Sequence, residues 1–122
     1  MAKNDYHVIA CYILLYLYTC LQKGKSPEND VLSLAQYPDN IPDSYRDYVY
    51  IQLEEEGYIR GLMWGSVAAL RIKPTRVLKS WENVQITPKG IDYLQNDKSM
   101  EKALKPAKEL LNLLFSAIGA FK

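Results

Sequence analysis

The sequence has few of the residues on which most enzyme sites depend. Its 122 residues include a single histidine, His7, and only two cysteines. It contains no nucleophile-elbow, zinc-protease, paired-cysteine or phosphate-binding glycine motif. His7 and Cys11 share one face of a helix, but they would supply only half of a zinc site. We therefore predict a protein that is not an enzyme and that binds neither a cofactor nor a metal.

The chain also lacks a hydrophobic run long enough to cross a membrane. The uncharged stretch from Val8 to Gln22 is shorter than the roughly 20 residues that a span requires, so we expect a buried core helix. On such a helix Cys11 and Cys20 lie on opposite faces, about 13 Å apart along the axis, which excludes a disulfide. Two free thiols in an apolar stretch favour a reducing, cytoplasmic location.

A strong net charge is missing as well. The formal net charge is +1, so total charge does not indicate a nucleic-acid partner. Hydrophobic residues make up 48% of the chain and charged residues 24%, which is typical of a globular protein. The length fits one domain over residues 1–122.

Helix signals are clear in the first part of the chain. Asp5 is a suitable N-cap for a long apolar helix over residues 5–23, and Gly24 is a suitable end. This helix is apolar nearly all round, so we expect it either to sit centrally or to be covered by a partner subunit. A short helix is expected over residues 31–36.

A third helix is predicted over residues 42–57, beginning at Pro42 or Asp43 and ending at Gly57. Its helical spacing makes Val49 and Leu53 the expected core anchors. Two tyrosines of this helix are expected beside those anchors, Tyr45 and Tyr48.

A hairpin is predicted after the third helix, over residues 58–87. Tyr58 to Trp64 is its expected first strand, followed by a turn at Gly65 and Ser66. Lys73 to Arg76 is the expected loop tip, because Pro74 cannot donate a hydrogen bond in a ladder. Val84 to Ile86 is the expected closing strand.

The remaining residues, 88–121, are predicted to form C-terminal helices. Thr87 is a suitable cap and Pro88 a suitable first residue for the first of them. We expect Ser99 to cap the last helical region, and Pro106 to kink that region or to start a new helix.

Two phrases that flank the hairpin specify the fold more firmly than any other feature. Leu53 to Gly61 is typical of a helix that turns through Gly57 into a strand. Ile86 to Leu94 is typical of a strand that turns through Thr87 and Pro88 into a helix. The predicted fold class is therefore α+β and mainly α, a winged helix-turn-helix with additional C-terminal helices.

The segments Leu53 to Ile59 and Trp81 to Leu94, together with Asn96 and Met100, resemble the YjcQ-like family. The resemblance covers roughly Asp43 to Lys105. It implies a small winged-helix protein of the kind found in Gram-positive bacteria and their phages, where a regulatory role would fit. It implies no established chemistry, so it brings no catalytic residues with it.

Charge is segregated along the chain. Residues 41–57 contain five acidic residues and one arginine, a balance of −4, whereas residues 58–81 contain five basic residues and no acid, a balance of +5. A winged helix usually places its third helix in the major groove of DNA and its wing on phosphates. Here the wing suits DNA, but the acidic third helix opposes phosphate attraction.

Duplex DNA bound mainly through the basic wing is the first functional hypothesis. The candidate contacts come from the start of the third helix and from the hairpin: Ser44, Arg46, Tyr50, Arg71, Lys73, Arg76 and Lys79. The carboxylates Asp43 and Asp47 are expected to complement the helix dipole rather than to act as an acid–base pair.

A protein-interaction or adaptor module that does not bind DNA is the alternative hypothesis. Ten tyrosines and two tryptophans exceed the need of so small a core, and both residue types favour interfaces. Acidic residues on the exposed face of the third helix would favour this alternative.

A homodimer is predicted from the last part of the chain. Apolar residues beyond Pro106 follow a heptad-like spacing, which would leave an exposed patch in a monomer. The segment is therefore expected either to fold back on the first helix or to form a dimer. The candidate interface residues are Leu111, Leu114, Ile118 and Phe121.

Overall fold

The computed structural model describes residues 2–67 and 75–118. The first helix, α1, spans Tyr6–Lys23. Asp5 is its N-cap, because its carboxylate accepts a hydrogen bond from the backbone N–H of His7 at 2.8 Å. Gly24 ends it in the left-handed conformation, with a φ of 65°. Both ends of this helix are confirmed.

The second helix is a single short turn, α2, over Asn29–Leu32. It is therefore shorter and earlier than the predicted helix at 31–36. The chain then passes through Leu34, a buried residue with a φ of 62°. A side chain in this left-handed region is strained, which stops the helix from continuing toward residue 36.

The third helix, α3, spans Asp43–Glu55 and buries Val49, Tyr50 and Leu53. The expected anchors Val49 and Leu53 are confirmed, but Tyr48 points outward and is 53% exposed. Tyr50 takes the core position instead. Gly57, with a φ of 81°, turns the chain out of the helix, and the N–H of Tyr58 donates to Leu53 O at 2.9 Å.

Four strands form two antiparallel pairs. They are β1 (Ile59–Arg60), β2 (Met63–Val67), β3 (Thr75–Ser80) and β4 (Gln85–Ile86). β1 pairs with β4, Ile59 opposite Ile86, and β2 pairs with β3, Gly65 opposite Val77. The closing strand near residue 86 is confirmed.

The first part of the hairpin differs from prediction. The expected strand 58–64 is interrupted at Gly61, where φ is 91° and a Cβ would lie 2.0 Å from Asn83 O. The turn predicted at Gly65 and Ser66 is wrong, because both residues pair with β3. Thr75 and Arg76 belong to β3 rather than to a loop tip, while Lys73 and Pro74 lie outside the described residues.

The last two helices are α4, Pro88–Asn96, and α5, Lys98–Ile118. Thr87 caps α4 as predicted, since its Oγ1 accepts from the N–H of Gly90 at 3.0 Å. The α5 cap is Asp97 rather than Ser99, because the N–H of Ser99 donates to Asp97 Oδ2 at 2.9 Å. The helix runs through Pro106, so this proline starts no new helix.

The buried side chains form one core around α1. This helix packs against α3, α4, α5 and β4, and its contact with α5 is the most extensive of all. Ten of its residues are buried, which agrees with its uniformly apolar sequence and with a central position. The described chain is therefore a mainly helical α+β protein. None of its described helices is both long enough and apolar enough to span a membrane.

Candidate protein-interaction surface

The ten tyrosines divide into two groups by burial. Tyr12, Tyr16, Tyr37 and Tyr50 are core residues, each no more than 6% exposed. The other six reach the surface at least in part. Four of those surface tyrosines come together on one side of the molecule, and we call them the tyrosine face. Its members are Tyr6, Tyr48, Tyr58 and Tyr93.

Each residue of the tyrosine face comes from a different place in the chain. Tyr6 begins α1, Tyr48 lies on α3, Tyr58 precedes β1 and Tyr93 lies on α4. The rings of Tyr6 and Tyr48 meet edge to face, with centroids 6.1 Å apart. The rings of Tyr58 and Tyr93 are stacked 4.0 Å apart and nearly parallel. Such pairs hold one another in place through preferred aromatic geometries.

The two sequence segments around Gly57 and Gly90 position the stacked rings of Tyr58 and Tyr93. Thr87 joins them, because its N–H donates to Tyr58 O at 3.0 Å and its hydroxyl donates to Gly57 O at 2.6 Å. Gly90 lets α4 approach so closely, since a Cβ there would lie 2.1 Å from Tyr58 O. The close approach sets the ring of Tyr93 over that of Tyr58.

A second contact fixes the other half of the face. The hydroxyl of Tyr45, on α3, donates to Asn4 O at 2.6 Å, just before α1 begins. It therefore ties the start of α1 to α3 and keeps Tyr6 beside Tyr48. Tyr6 also meets the ring of His7 edge to face, with centroids 5.3 Å apart.

Acidic residues influence the tyrosine face. Burial raises the pKa of Tyr6, and neighbouring Tyr48 and Glu56 raise it further. Burial and then Glu56 and Asp97 raise the pKa of Tyr58. Burial, followed by Asp97, raises the pKa of Tyr93 to about 12. The phenols of Tyr6, Tyr58 and Tyr93 are therefore neutral at physiological pH, and carboxylates contribute to these raised pKa values.

A concavity of about 240 Å³ opens beside the stacked pair. Its lining combines two aromatic rings, two carboxylates, an amide and one amine: Tyr58, Tyr93, Asp92, Asp97, Asn96 and Lys89. The amine of Lys89 lies 5.5 Å from the centroid of the Tyr58 ring, within range of a cation–π contact. Asn96 Nδ2 donates to Asp92 Oδ1 at 2.7 Å, which orients that carboxylate.

The three DNA candidates on α3 have different positions. Ser44 is exposed in the first turn. The Arg46 side chain is only 15% exposed, and its guanidinium pairs with Asp47 Oδ1 at 2.9 Å and with Asp43 Oδ1 at 3.3 Å. It also lies 5.1 Å from the centroid of the Trp81 ring. Arg46 is thus held within the protein by two carboxylates and an indole.

Tyr50 corrects the prediction for the third helix. It is completely buried, and its hydroxyl donates to Leu32 O at 2.6 Å, so it has no path to base edges. The exposed side of α3 carries Asp43, Ser44 and Tyr48, with Glu55 at its end. Because Arg46 is the only cation of this helix, its exposed side is acidic and aromatic. That surface disfavours phosphate contact.

The four candidates on the hairpin are placed only in part. Arg71 and Lys73 lie outside the described residues. Arg76 and Lys79 belong to strand β3, and Arg76 pairs with Ser66 of β2. The prediction of wing contacts with DNA therefore stays a prediction.

The dimer candidates also need a correction. Leu111 and Leu114 are 2% and 7% exposed and belong to the core, where α5 folds back on α1. Neither is available as an exposed interface residue. Ile118 is the last residue of α5, and Phe121 lies outside the described residues. On the outward side of the same helix, Leu113 is 67% exposed.

A larger concavity of about 540 Å³ lies between the end of α1 and the β1–β4 pair. Leu17 and Leu21 of α1 line it together with Arg60 and Glu82. Its rim therefore carries charges of both signs. Over residues 2–67 and 75–118, no three histidine, cysteine or acidic side chains gather in a way that could hold a metal ion.

The tyrosine face was not among the predicted site residues. Its members are spread from residue 6 to residue 93 and follow no helical or strand period. The only signal in the sequence is the excess of tyrosine, which indicates an interface without locating it.

The fold and this surface together define a mainly helical α+β protein that displays a tyrosine-rich face with carboxylates beside it. The family model of the YjcQ proteins matches residues 11–113, so the chain belongs to the YjcQ family. The match includes three residues of the tyrosine face, Tyr48, Tyr58 and Tyr93. No curated protein and no solved structure matches the chain.

Proposed function

We propose that this YjcQ-family protein is a winged-helix interaction module that binds a protein partner through its tyrosine face. The observation that carries the proposal is Tyr48, a 53% exposed residue of the acidic helix α3 whose ring meets that of Tyr6 edge to face. A large apolar ring held at the surface loses water favourably when a partner covers it. Tyrosine rings also lose little conformational entropy on binding, which makes them efficient interface residues.

The order of elements supports the winged-helix part of the proposal. Three helices, α1 to α3, are followed by β1, a hairpin made of β2 and β3, a return strand β4 and a helix. β1 and β4 pair at the base of the hairpin, as expected where a wing leaves a helical body. Such a module fits the role of an adaptor protein in a phage or prophage.

Site-specific photocrosslinking in the cells that make the protein tests the proposal. A benzophenone amino acid at Tyr48 is expected to give a crosslinked product with one protein. The same group at Leu21, which is 55% exposed on α1 and belongs to neither proposed interface, is the matched control and is expected to give none. A Tyr93→Ala change, made with the crosslinker still at residue 48, should remove the product. Identical products from residues 48 and 21, or none from either, would contradict the proposal.

DNA binding through the hairpin is a second candidate function, supported by the five cations and no acid in residues 58–81. Gel-shift affinity measured against salt concentration tests it. Removal of Arg71, Lys73, Arg76 and Lys79 together is expected to flatten the salt dependence, because each phosphate contact releases counterions. If these four simultaneous substitutions leave the salt dependence of the affinity unaltered, the wing contacts are refuted. We rank DNA binding below protein interaction because the exposed side of α3 is acidic.

Homodimerisation is a further part of the proposal, now resting on residues at the end of α5 rather than on Leu111 and Leu114. The exposed Leu113 and the apolar Ile118 and Phe121 are the remaining candidates. Light scattering at micromolar concentration is expected to report a dimer, and Leu113→Ser to weaken it. A monomer at this concentration would contradict the dimer.

The two buried free thiols support a reducing, cytoplasmic setting for the same module.

A further inference from the structure

We propose that the concavity beside Tyr58 and Tyr93 receives a lysine or arginine side chain from a basic segment of the protein partner. The inference rests on the proposed interaction function and adds the chemistry of the partner. It assigns one occupant to this concavity and predicts that the tyrosine face prefers a positively charged partner segment.

The composition of the concavity favours a cation. Two carboxylates, Asp92 and Asp97, flank two aromatic rings, and one amine, Lys89, is the only cation of its lining. Aromatic faces carry negative potential and attract ammonium and guanidinium groups. Glu56 acts on Tyr58 and Tyr6 from outside the concavity and adds to the negative potential of the surrounding surface.

The position of Lys89 gives a second observation that points to a ligand. Its amine already stands over the Tyr58 ring at 5.5 Å. The ring therefore holds an ammonium group in this structure, although the group belongs to the protein itself. Lys89 is otherwise an exposed residue on a helix surface, with room to swing away. An incoming cation would replace it in the same environment.

The size of the concavity fits one side chain. At about 240 Å³ it lies below the roughly 300 Å³ at which pockets for small-molecule ligands begin. A lysine or arginine side chain can lay its methylenes on the stacked rings and turn its charged end to Asp92 or Asp97. A bidentate contact with a carboxylate would favour arginine over lysine.

Lys89 makes the sign of the partner's charge testable. If the partner is basic, Lys89 competes with it for the ring and repels it. Its removal then strengthens binding. If the partner is acidic, Lys89 is its natural counter-ion, and removal weakens binding. One substitution, Lys89→Ala, therefore has opposite effects under the two alternatives.

The experiment uses the full chain and two synthetic peptides of equal length, one alternating arginine with alanine and one alternating glutamate with alanine. Binding is followed by two-dimensional NMR at low salt. The arginine peptide is expected to bind and to shift the amide signals of residues 89–97, whereas the glutamate peptide leaves them in place. Lys89→Ala is expected to raise affinity for the arginine peptide about twofold, the size of a weak exposed charge contact.

The carboxylates are tested together as Asp92→Asn with Asp97→Asn. Asparagine is as good an N-cap as aspartate, so α5 keeps its cap. We expect this double change to weaken the arginine peptide about fivefold, as two exposed ion pairs allow. The matched control removes two exposed acids elsewhere, Asp30→Asn with Glu109→Gln, and is expected to leave the affinity nearly unchanged. Tyr93→Leu should weaken binding about threefold by removing part of the aromatic surface.

Three results would overturn the inference. They are equal binding of the two peptides, weaker arginine binding in Lys89→Ala, and equal losses in the two double-acid variants. These outcomes are separate from failure of the proposed function. A crosslink at residue 48 that Asp92→Asn with Asp97→Asn leaves intact would keep the interaction surface and remove its cation site. A missing crosslink would remove the surface itself.

Discussion

The core tyrosines and the tyrosine face use the same side chain in two different ways. In the core, hydroxyl groups join distant parts of the backbone. Tyr50 donates to Leu32 O at 2.6 Å, Tyr37 donates to Lys3 O at 2.5 Å, and the Tyr16 hydroxyl accepts from the N–H of Glu28 at 2.9 Å. On the face, rings pack against rings and against Lys89. The same residue type therefore serves to close the fold in one region and to present a surface in the other.

This difference shows that tyrosine content by itself does not separate structure from function. Tyr48 and Tyr50 are two positions apart on α3, yet one is 53% exposed and the other is completely buried. A helix turns by about 100° per residue, so two positions are enough to move a side chain from core to surface. Exposure, rather than composition, assigns each tyrosine to its group.

The largest expected effect contrasts these two neighbours. Tyr50→Ala removes a fully buried ring and its hydrogen bond to Leu32 O, and we expect a loss of about 4 kcal/mol in the free energy of unfolding. Tyr48→Ala is expected to cost less than about 1 kcal/mol, because most of its ring is already in water. Urea unfolding followed by circular dichroism measures both. Equal losses in the two variants would remove the distinction between core and face.

The next largest effect comes from a substitution that disrupts the tyrosine face without replacing any of its tyrosines. Gly90→Ala places a methyl group where the structure leaves 2.1 Å to Tyr58 O, so α4 must move away from β1. We expect a loss of about 3 kcal/mol, at the upper end of the range for overpacked sites, together with weaker binding of the arginine peptide. Gly24→Ala is the control. Its Cβ meets open space, and only the φ of 65° costs stability, about 1 kcal/mol. A Gly90→Ala protein as stable as Gly24→Ala would show that the close approach does not hold the two phrases together.

A smaller effect isolates the hydroxyl of a core tyrosine. Tyr50→Phe keeps the ring and removes only the donor to Leu32 O. We expect a loss of about 1 to 2 kcal/mol, because a buried carbonyl then lacks this partner. Tyr45→Phe removes the donor to Asn4 O, at an exposed site where water replaces it, and is expected to cost less. Differential scanning calorimetry of the two phenylalanine variants measures the difference, and a larger loss at Tyr45 would reverse the interpretation.

The helix boundaries could be predicted because their signals are local. Asp5, Thr87 and Gly24 act through hydrogen bonds or backbone angles within a few residues of themselves. The hairpin was predicted less well. Gly65 and Ser66 are typical turn residues, but pairing with Val77 and Arg76 outweighs that preference. Pairing across residues 65–77 depends on contacts that no local pattern contains.

The candidate site could be predicted only as an excess of tyrosine. Tyr6 and Tyr48 meet because Tyr45 ties α3 to Asn4, and Tyr58 meets Tyr93 because Gly90 admits α4. Both contacts are tertiary. Tyr50 was predicted to contact DNA because it precedes the glutamates at the C-terminal end of α3, and this prediction is wrong because helix rotation turns it inward. The heptad-like spacing of Leu111 and Leu114 does mark an apolar seam, but the seam packs against α1 of the same chain.

The smallest expected effect is the dependence of stability on alkaline pH that one core tyrosine, Tyr12, contributes. Burial raises the pKa of Tyr12 to about 12, whereas a phenol in the unfolded chain ionises near pH 10. The folded protein therefore keeps the neutral form, so this contribution to stability is complete below about pH 10 and is lost as pH rises toward 12. At pH 11 we expect the loss in the free energy of unfolding to amount to about 1 kcal/mol. Burial also raises the pKa of Cys11 to about 12, which acts in the same direction from a lower starting pH.

Urea unfolding at pH 8 and pH 11 measures this loss in Tyr12→Phe and in the parent protein. The variant is expected to lose about 1 kcal/mol less between the two pH values, because phenylalanine cannot ionise in the unfolded state. Leu21→Ala, at a 55% exposed position without a titrating group, is the control and should follow the parent protein. A Tyr12→Phe protein that declines as steeply as the parent would mean that the unfolded chain shields Tyr12 from ionisation as well as the fold does. The burial of Tyr12 would then have no consequence for alkaline stability.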